Sequence, residues 1–277
     1  MRFFLPMSLI FSTFEETNRT RLKGMKLSDI RSPSIRLAPP RQQPPMWQQR
    51  LSADSDFCRA LVGQGYMTQE QLAEAVGRYR LGRALRGGVI FWQIDMLEQV
   101  MDGKIMYYGP DCHRDHGRHP QWVSNLLKRQ LLAKCPDMAA WMPASQHCLF
   151  GTHLLREEAD GLGAEGGAAR RTACVVEAEK TAVILSARYP QQLWLAAGGL
   201  TELTAQKLFP LRHHRIVLFP DTDPDMTAYR QWYGVAKEAR RQYGLDISVS
   251  SLLERKATAQ QKAAKIDLVD FLYAERK

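Results

Sequence analysis

An α/β fold is predicted for this chain of 277 residues. It comprises a parallel sheet flanked by helices over residues 172–277, a smaller α+β region over residues 51–156, and a basic, disordered arm over residues 1–50. Three observations predict it. Beyond Arg171, short apolar runs alternate with helical stretches, which is the signature of strands covered on both faces. The glycine-rich GLGAEGGAARR before that rhythm reads as a linker, placed at residues 157–171. Residues 1–50 lack sustained periodicity and end in RSPSIRLAPPRQQPPMWQQR, whose five prolines favour an extended arm.

Each element follows from local pattern. From Ser52 to Arg80 two short helices are expected, because Phe57, Leu61 and Val62 share a face and Thr68 with Gln71 makes a capping-box start. Val89, Ile90, Phe91, Trp92 and Ile94 favour a strand and Lys104–Tyr108 a second, with Asp102-Gly103 as the turn of a β-hairpin. WVSNLLKRQLL is an amphipathic helix.

In the C-terminal part, CVVE (174–177), LWLAA (193–197), RIVLF (215–219) and LDISVS are the strands. EKTAVILSARY, Thr201–Leu208, Thr227–Tyr243 and KIDLVDFLYAE are the helices between and after them. Thr227–Tyr243 places Trp232, Val235, Ala236, Ala239 and Tyr243 on one face, with Thr227 as cap and Gly244 just past the end.

Composition narrows the function classes. The formal charge of +9 invites a nucleic-acid partner, DNA or RNA, since Lys and Arg displace counterions from phosphate. Residues 1–50 hold nine Lys and Arg against three acids, so most of that excess sits in the arm and the folded part is mildly basic. Five widely spaced cysteines without a C-x-x-C pair argue for reduced thiols and a cytoplasmic setting. Pro6 interrupts the apolar start, and no run reaches the roughly 18 residues of a membrane span. No membrane partner is expected.

The acids of the C-terminal part carry the chemistry. A parallel sheet delivers all its strand C-termini to one edge, where ligands bind. Glu177 ends the first strand, Gly198-Gly199 follows the second, and Asp221, Asp223 and Asp225 follow the third in FPDTDPD. Mg²⁺ or Mn²⁺ suits such a set, because a hard cation takes a few carboxylates and fills its shell with water and phosphate oxygens. Glu177 can complete the site or move a proton. Acids after strands also serve as solvated loop residues or caps, and Asp223 or Asp225 can simply start the next helix.

The run VVEAEKTA, then LAAGG, then RIVLFPDTDPD resembles the Toprim domain shared by primases, topoisomerases and some nucleases. The resemblance covers roughly residues 172–275. It implies an acid/base role for Glu177 and metal coordination by Asp221 and Asp223, with Asp225 as a further acid. The phrases RGGVIFWQID, DGKIMYYGPD and QHCLFGTHLL resemble more narrowly an uncharacterised Bacteroidetes family of primase-related mobile-element proteins, in which another domain precedes a Toprim-like one.

The chain departs from that pattern in three respects. Residues 1–56 contain no cysteine for a zinc ribbon, Ala178 stands where Gly often follows the glutamate, and residues 52–150 are short for a full primase catalytic region.

The resemblance implies a Mg²⁺-dependent nucleic-acid protein, primase-like in nucleotidyl transfer during mobile-element DNA replication, with replication or mobilisation proteins as partners. A Toprim nuclease using the same acids, and a non-catalytic nucleic-acid-binding module with a degenerate Toprim fold, are the alternatives.

Lys180, at a helix start, and Gly198 and Gly199, in a tight turn, are candidate phosphate-binding groups. Lys180 reads equally well as a solvated first-turn lysine. Cys112, His113, His116 and His119 lack the paired spacing of a zinc site, and zinc is not expected. His147, Cys148 and His153 suggest a nucleophile with a base, but no orienting acid stands nearby in sequence. Trp92, Trp122, Trp141, Tyr107 and Tyr108 read as packing in preference to base stacking, and Asp267 and Asp270 as solvated acids on the last helix.

Overall fold

The structure is a computed structural model and describes residues 50–134, 146–156 and 170–274. The expected N-terminal arm, the glycine-rich linker and Trp141 lie almost wholly or wholly outside the described residues.

The chain enters through helices α1 (Asp56–Gly63) and α2 (Gln69–Tyr79). Ser55 caps the first through the Cys58 N–H, and Thr68 and Gln71 form the expected reciprocal box on the second. An antiparallel sheet follows in the order β1 (Gly82–Arg83), β2 (Val89–Ile94), β3 (Val100–Met106), β4 (Gln121–Trp122), and α3 (Val123–Lys134) continues directly from its last strand.

The hairpin corrects one expectation. Asp102-Gly103 is not its turn. Those residues lie inside β3, opposite Gln93 and Trp92, and the chain reverses instead at Asp95–Gln99, where Glu98 takes a left-handed φ of 65°. Gly103 is required there by packing, because a Cβ would fall 2.6 Å from the Trp92 ring and 2.9 Å from Val123.

Alternation along the hairpin gives it two buried faces. Ile90, Trp92, Ile94, Val100 and Ile105 pack with Val123 beneath α3. Val89, Phe91 and Met106 face the other way into the main core, which continues without a break into the C-terminal sheet.

That second sheet has the order β6-β5-β7-β8, with β5 (Ala173–Val176), β6 (Leu193–Ala196), β7 (Ile216–Phe219) and β8 (Ile247–Val249) all parallel. The predicted α/β class and parallel sheet are therefore observed. Helix α4 (Glu179–Arg188) joins β5 to β6, α5 (Ala205–Leu208) lies between β6 and β7, and α6 (Thr227–Tyr243) joins β7 to β8. Ala228, Trp232, Ala236 and Ala239 form the buried stripe of α6, which ends at left-handed Gly244 as expected.

Three short helices close the described chain: α7 (Leu252–Lys256), α8 (Ala259–Ala263) and α9 (Leu268–Tyr273). The sequence pattern predicted only the last. Phe150 bridges Ala196 at the sheet edge, and the Tyr79 hydroxyl donates to the Trp194 carbonyl at 2.9 Å, so residues before the linker complete the C-terminal sheet. Among the described residues no helix is long and apolar enough to cross a membrane.

Candidate active site at the strand ends

The order of the parallel strands fixes where a ligand can sit. The connection leaving β5 runs to β6 on one side, and the connection leaving β7 runs to β8 on the other. The crevice of an open α/β sheet lies at such a reversal, outside the carboxyl ends of the two strands. Glu177 is the first residue after β5, and Asp221 follows β7 by two residues.

Local contacts hold both loops in place. The Gly198 N–H donates to the Glu177 carbonyl at 2.9 Å, and the Leu200 N–H reaches the Glu177 carboxylate. Gly198 takes a φ of +93°, a conformation that disfavours side chains, and a Cβ on it would stand 3.3 Å from Glu179 Oε1. On the other strand, buried Thr222 pins the Asp221 loop by donating its N–H to Ile266 and its hydroxyl to Glu254.

Electrostatics set Glu177 and Asp221 apart. Burial pushes the Glu177 carboxyl up, with the nearby charge of Lys104 opposing and that of Asp267 reinforcing the shift. Burial also pushes Asp221 well above the usual carboxylate range, and the charges of Glu177 and Asp267 add to it. Four other acids around the crevice have a lysine: Glu179 with Lys104 at 3.2 Å, Glu202 with Lys207 at 3.1 Å, Glu254 with Lys262 at 3.2 Å and Asp267 with Lys180 at 3.3 Å. Among the described residues, neither Glu177 nor Asp221 has a cation within ion-pair distance. Two crowded carboxylates lacking a paired cation are the arrangement a bound divalent ion would relieve.

The other predicted site residues are placed differently. Asp223 serves its own loop: its Oδ1 accepts the N–H groups of Asp225 and Thr227 at 2.9 and 3.0 Å, and its Oδ2 that of Ala228 at 2.9 Å. Burial would raise this carboxyl, but those three donors outweigh it and hold it below the usual range. Asp223 thus caps α6, as one of the two sequence readings had it, and Thr227, the other candidate cap, lies inside the helix. The Asp225 side chain is exposed. Among the described residues no group of three or more His, Cys, Asp or Glu side chains is arranged to hold a metal ion, so Glu177, Asp221 and Asp223 do not form one.

Lys180 is buried and paired with Asp267, while Gly198 presents its carbonyl to the Lys104 ammonium at 2.6 Å. The expectation that Asp267 is solvated is corrected. It is 6% exposed, caps α9 through the Asp270 N–H, and accepts the Thr181 hydroxyl at 2.6 Å. Burial alone would raise its carboxyl; the Lys180 charge and the Thr181 hydrogen bond overcome that and lower it. Asp270 is partly buried and completes the capping box.

Cys112 is buried in the core, where burial pushes its thiol up to about 12, and burial does the same to Cys148. Neither is a ready nucleophile.

Lys104 is the main residue at the crevice that the sequence pattern did not single out. Its ammonium reaches from β3 to Gly198 and Glu179, at the lip of the strand-end crevice. The signal lies in the alternation of Asp102, Lys104 and Met106 on one face, and the turn-like Asp102-Gly103 pair masks it.

Comparison with known proteins places this geometry in context. The crystal structure of the Aquifex aeolicus primase, zinc-binding and RNA polymerase domains, shows 13% identity and a TM-score of 0.37, over 74% of this chain and 49% of that one. The E. coli primase catalytic core shows 14% identity and a TM-score of 0.36, over 77% of this chain and 66% of that one. The chain thus spans about half of the first and just under two thirds of the second. No curated protein matches. Residues 55–222, more than half of the sequence, match the family model of a domain of unknown function, DUF6371, and the chain belongs to that family.

Proposed function

We propose that this chain is a Toprim-type, Mg²⁺-dependent nucleic-acid protein whose strand-end crevice acts on the phosphates of DNA or RNA, with primase-like nucleotidyl transfer as its reaction. The observation that carries the reading is the placement of Glu177 and Asp221: two carboxylates just past the ends of the adjacent strands at the sheet's switch point, neither with a cation at ion-pair distance among the described residues.

The donor chemistry fits the metal. Mg²⁺ is commonly held by one or two carboxylates plus substrate phosphate, with water in the remaining positions. In this reading Asp221 and Glu177 hold the ion, which would offset charge developing on the transferred phosphate. Where Asp221 alone holds the ion, Glu177 serves instead in proton transfer, a role its raised carboxyl suits. Asp223 shapes the loop that presents Asp221, and Lys104 orients a phosphate oxygen from the opposite wall. The basic residues before Leu51 add affinity for the polyanion. The setting in mobile-element replication rests on the sequence resemblance.

A second reading, a binding module that retains the fold without turnover, is favoured by one observation: the acids do not form a three-carboxylate metal group. One experiment separates the two. A labelled single-stranded oligonucleotide is incubated with nucleoside triphosphates and Mg²⁺ or Mn²⁺, using wild type, Glu177→Gln and Asp221→Asn. Metal-dependent extension or cleavage abolished by either substitution supports catalysis and distinguishes synthesis from hydrolysis. Binding without product in the wild type, unchanged by Asp221→Asn, supports the module.

A further inference from the structure

The histidine that the sequence left without an orienting acid has one in the fold. Asp102 lies on β3, 45 positions from His147, and its side chain is fully buried. Its Oδ1 accepts the Gly103 N–H at 2.7 Å and the Ser124 N–H at 3.0 Å; its Oδ2 accepts the Ser124 hydroxyl at 2.6 Å. The fourth partner is His147 Nε2, 3.1 Å from Oδ2.

A carboxylate only accepts, so Nε2 carries the proton and the neutral ring has its lone pair on Nδ1. The imidazole stacks on Trp122 at 4.0 Å with an interplanar angle of 21°, which fixes its plane, and its side chain remains 20% exposed.

Nδ1 points towards the turn that also shapes the metal-site candidate. It stands 3.8 Å from Glu202 Oε2, too far for a direct hydrogen bond. Glu202 ends the single 3₁₀ turn Leu200–Glu202, whose first N–H reaches the Glu177 carboxylate. Among the described residues, the charged groups around the ring are Asp102 from β3, Glu202 from this turn, Lys207 from α5 paired with Glu202, and Lys104, whose charge also acts on Glu202.

We propose that Asp102 and His147 form a proton-transfer dyad beside the strand-end crevice, with His147 Nδ1 as the base and Asp102 as its positioning residue. The substrate group is a hydroxyl, of water or of a sugar, attacking a nucleotide phosphorus, so the proposal rests on the phosphoryl-transfer reading given above. The hydroxyl O–H bond breaks as its proton passes to Nδ1. Its oxygen bonds to phosphorus, and the bond from phosphorus to the leaving oxygen breaks with its electron pair on that oxygen. The imidazolium formed lies between the carboxylates of Asp102 and Glu202, then returns its proton to solvent.

Two measurements on the full chain test it. In the first, ¹⁵N NMR of the histidine side chains assigns the His147 tautomer in wild type and in Asp102→Asn. Nε2–H in the wild type is expected, and Nδ1–H overturns the dyad whatever the turnover. In the second, single-turnover rates with Mg²⁺ are followed from pH 5.5 to 9 in wild type and His147→Gln, which keeps an amide donor for Asp102. The substitution is expected to lower the rate about 10²- to 10⁴-fold, flatten its pH dependence and leave metal affinity unchanged. An unchanged rate and pH profile overturn the proposal. A wild type without turnover but with the Nε2–H tautomer sinks the phosphoryl-transfer reading alone and supports an oriented base.

Discussion

Asp221→Asn is predicted to make the metal-free protein more stable while removing its response to Mg²⁺. Asp221 is partly buried beside Glu177, and the charges of Glu177 and Asp267 both push its carboxyl upward. Ionising it therefore works against the fold, and an amide of nearly the same shape removes that repulsion. Single substitutions that relieve such conflicts commonly add about 0.5 to 2 kcal/mol. A domain of about 150 to 250 residues gains roughly 2 to 4 °C per kcal/mol, so a rise of about 1 to 8 °C is expected without metal.

The sign with pH follows. A raised carboxyl destabilises the fold only where it is ionised, so the gap between variant and wild type is widest at alkaline pH and closes as pH falls through the raised value. Mg²⁺ at about a hundredfold over its dissociation constant stabilises the wild type by about 2.7 kcal/mol, or roughly 5 to 11 °C. The variant should show almost none of that shift. Scanning calorimetry in EDTA and across a Mg²⁺ titration measures both quantities. A variant less stable than wild type at alkaline pH, or one keeping the full Mg²⁺ shift, would refute the crowded-carboxylate account.

Two further predictions concern buried titratable groups. His153 is buried with Nε2 at 2.9 Å from the Arg78 carbonyl and Nδ1 unpartnered, and burial pushes it down to about 4. The unfolded chain binds a proton near 6.5 that the fold refuses, so from pH 7 to 5 this residue costs about 2 kcal/mol of stability. Urea unfolding of His153→Gln should show that much less loss over the interval, and an equal loss would dismiss the role of His153. Lys180→Met strands the buried Asp267 charge and is expected to cost about 3 to 5 kcal/mol, whereas Lys180→Met with Asp267→Asn should cost less than the two single changes summed. Strict additivity in urea titrations would count against the pair.

What the sequence made legible is what local chemistry decides. The Thr68–Gln71 box, the left-handed Gly244 and the strand-helix rhythm depend on neighbours within a few positions, and the structure has all of them. Glu177 and Asp221 were legible for the same reason, because ending a short apolar run places a residue at the shared edge of a parallel sheet. What escaped depends on distant partners. Asp102 looked like turn chemistry beside Gly103, yet three of its four partners come from Ser124 and His147, 22 and 45 positions away. Asp267 looked solvated because its cation and its Thr181 partner lie in a helix more than eighty residues earlier.

The same dependence on distant partners gives the site its logic. A lysine beside an acid in sequence says little, since Lys180 follows Glu179 directly but neutralises Asp267, while Glu179 is matched by Lys104 from the other sheet. Once these pairings are made by the fold, Glu177 and Asp221 are left at the crevice with no lysine at ion-pair distance among the described residues; Lys104 and Lys180 act on them only through their nearby charge. Those two flank the point where the strand order reverses. Ionising both carboxylates there works against the fold, and a bound cation with its phosphate would offset that cost.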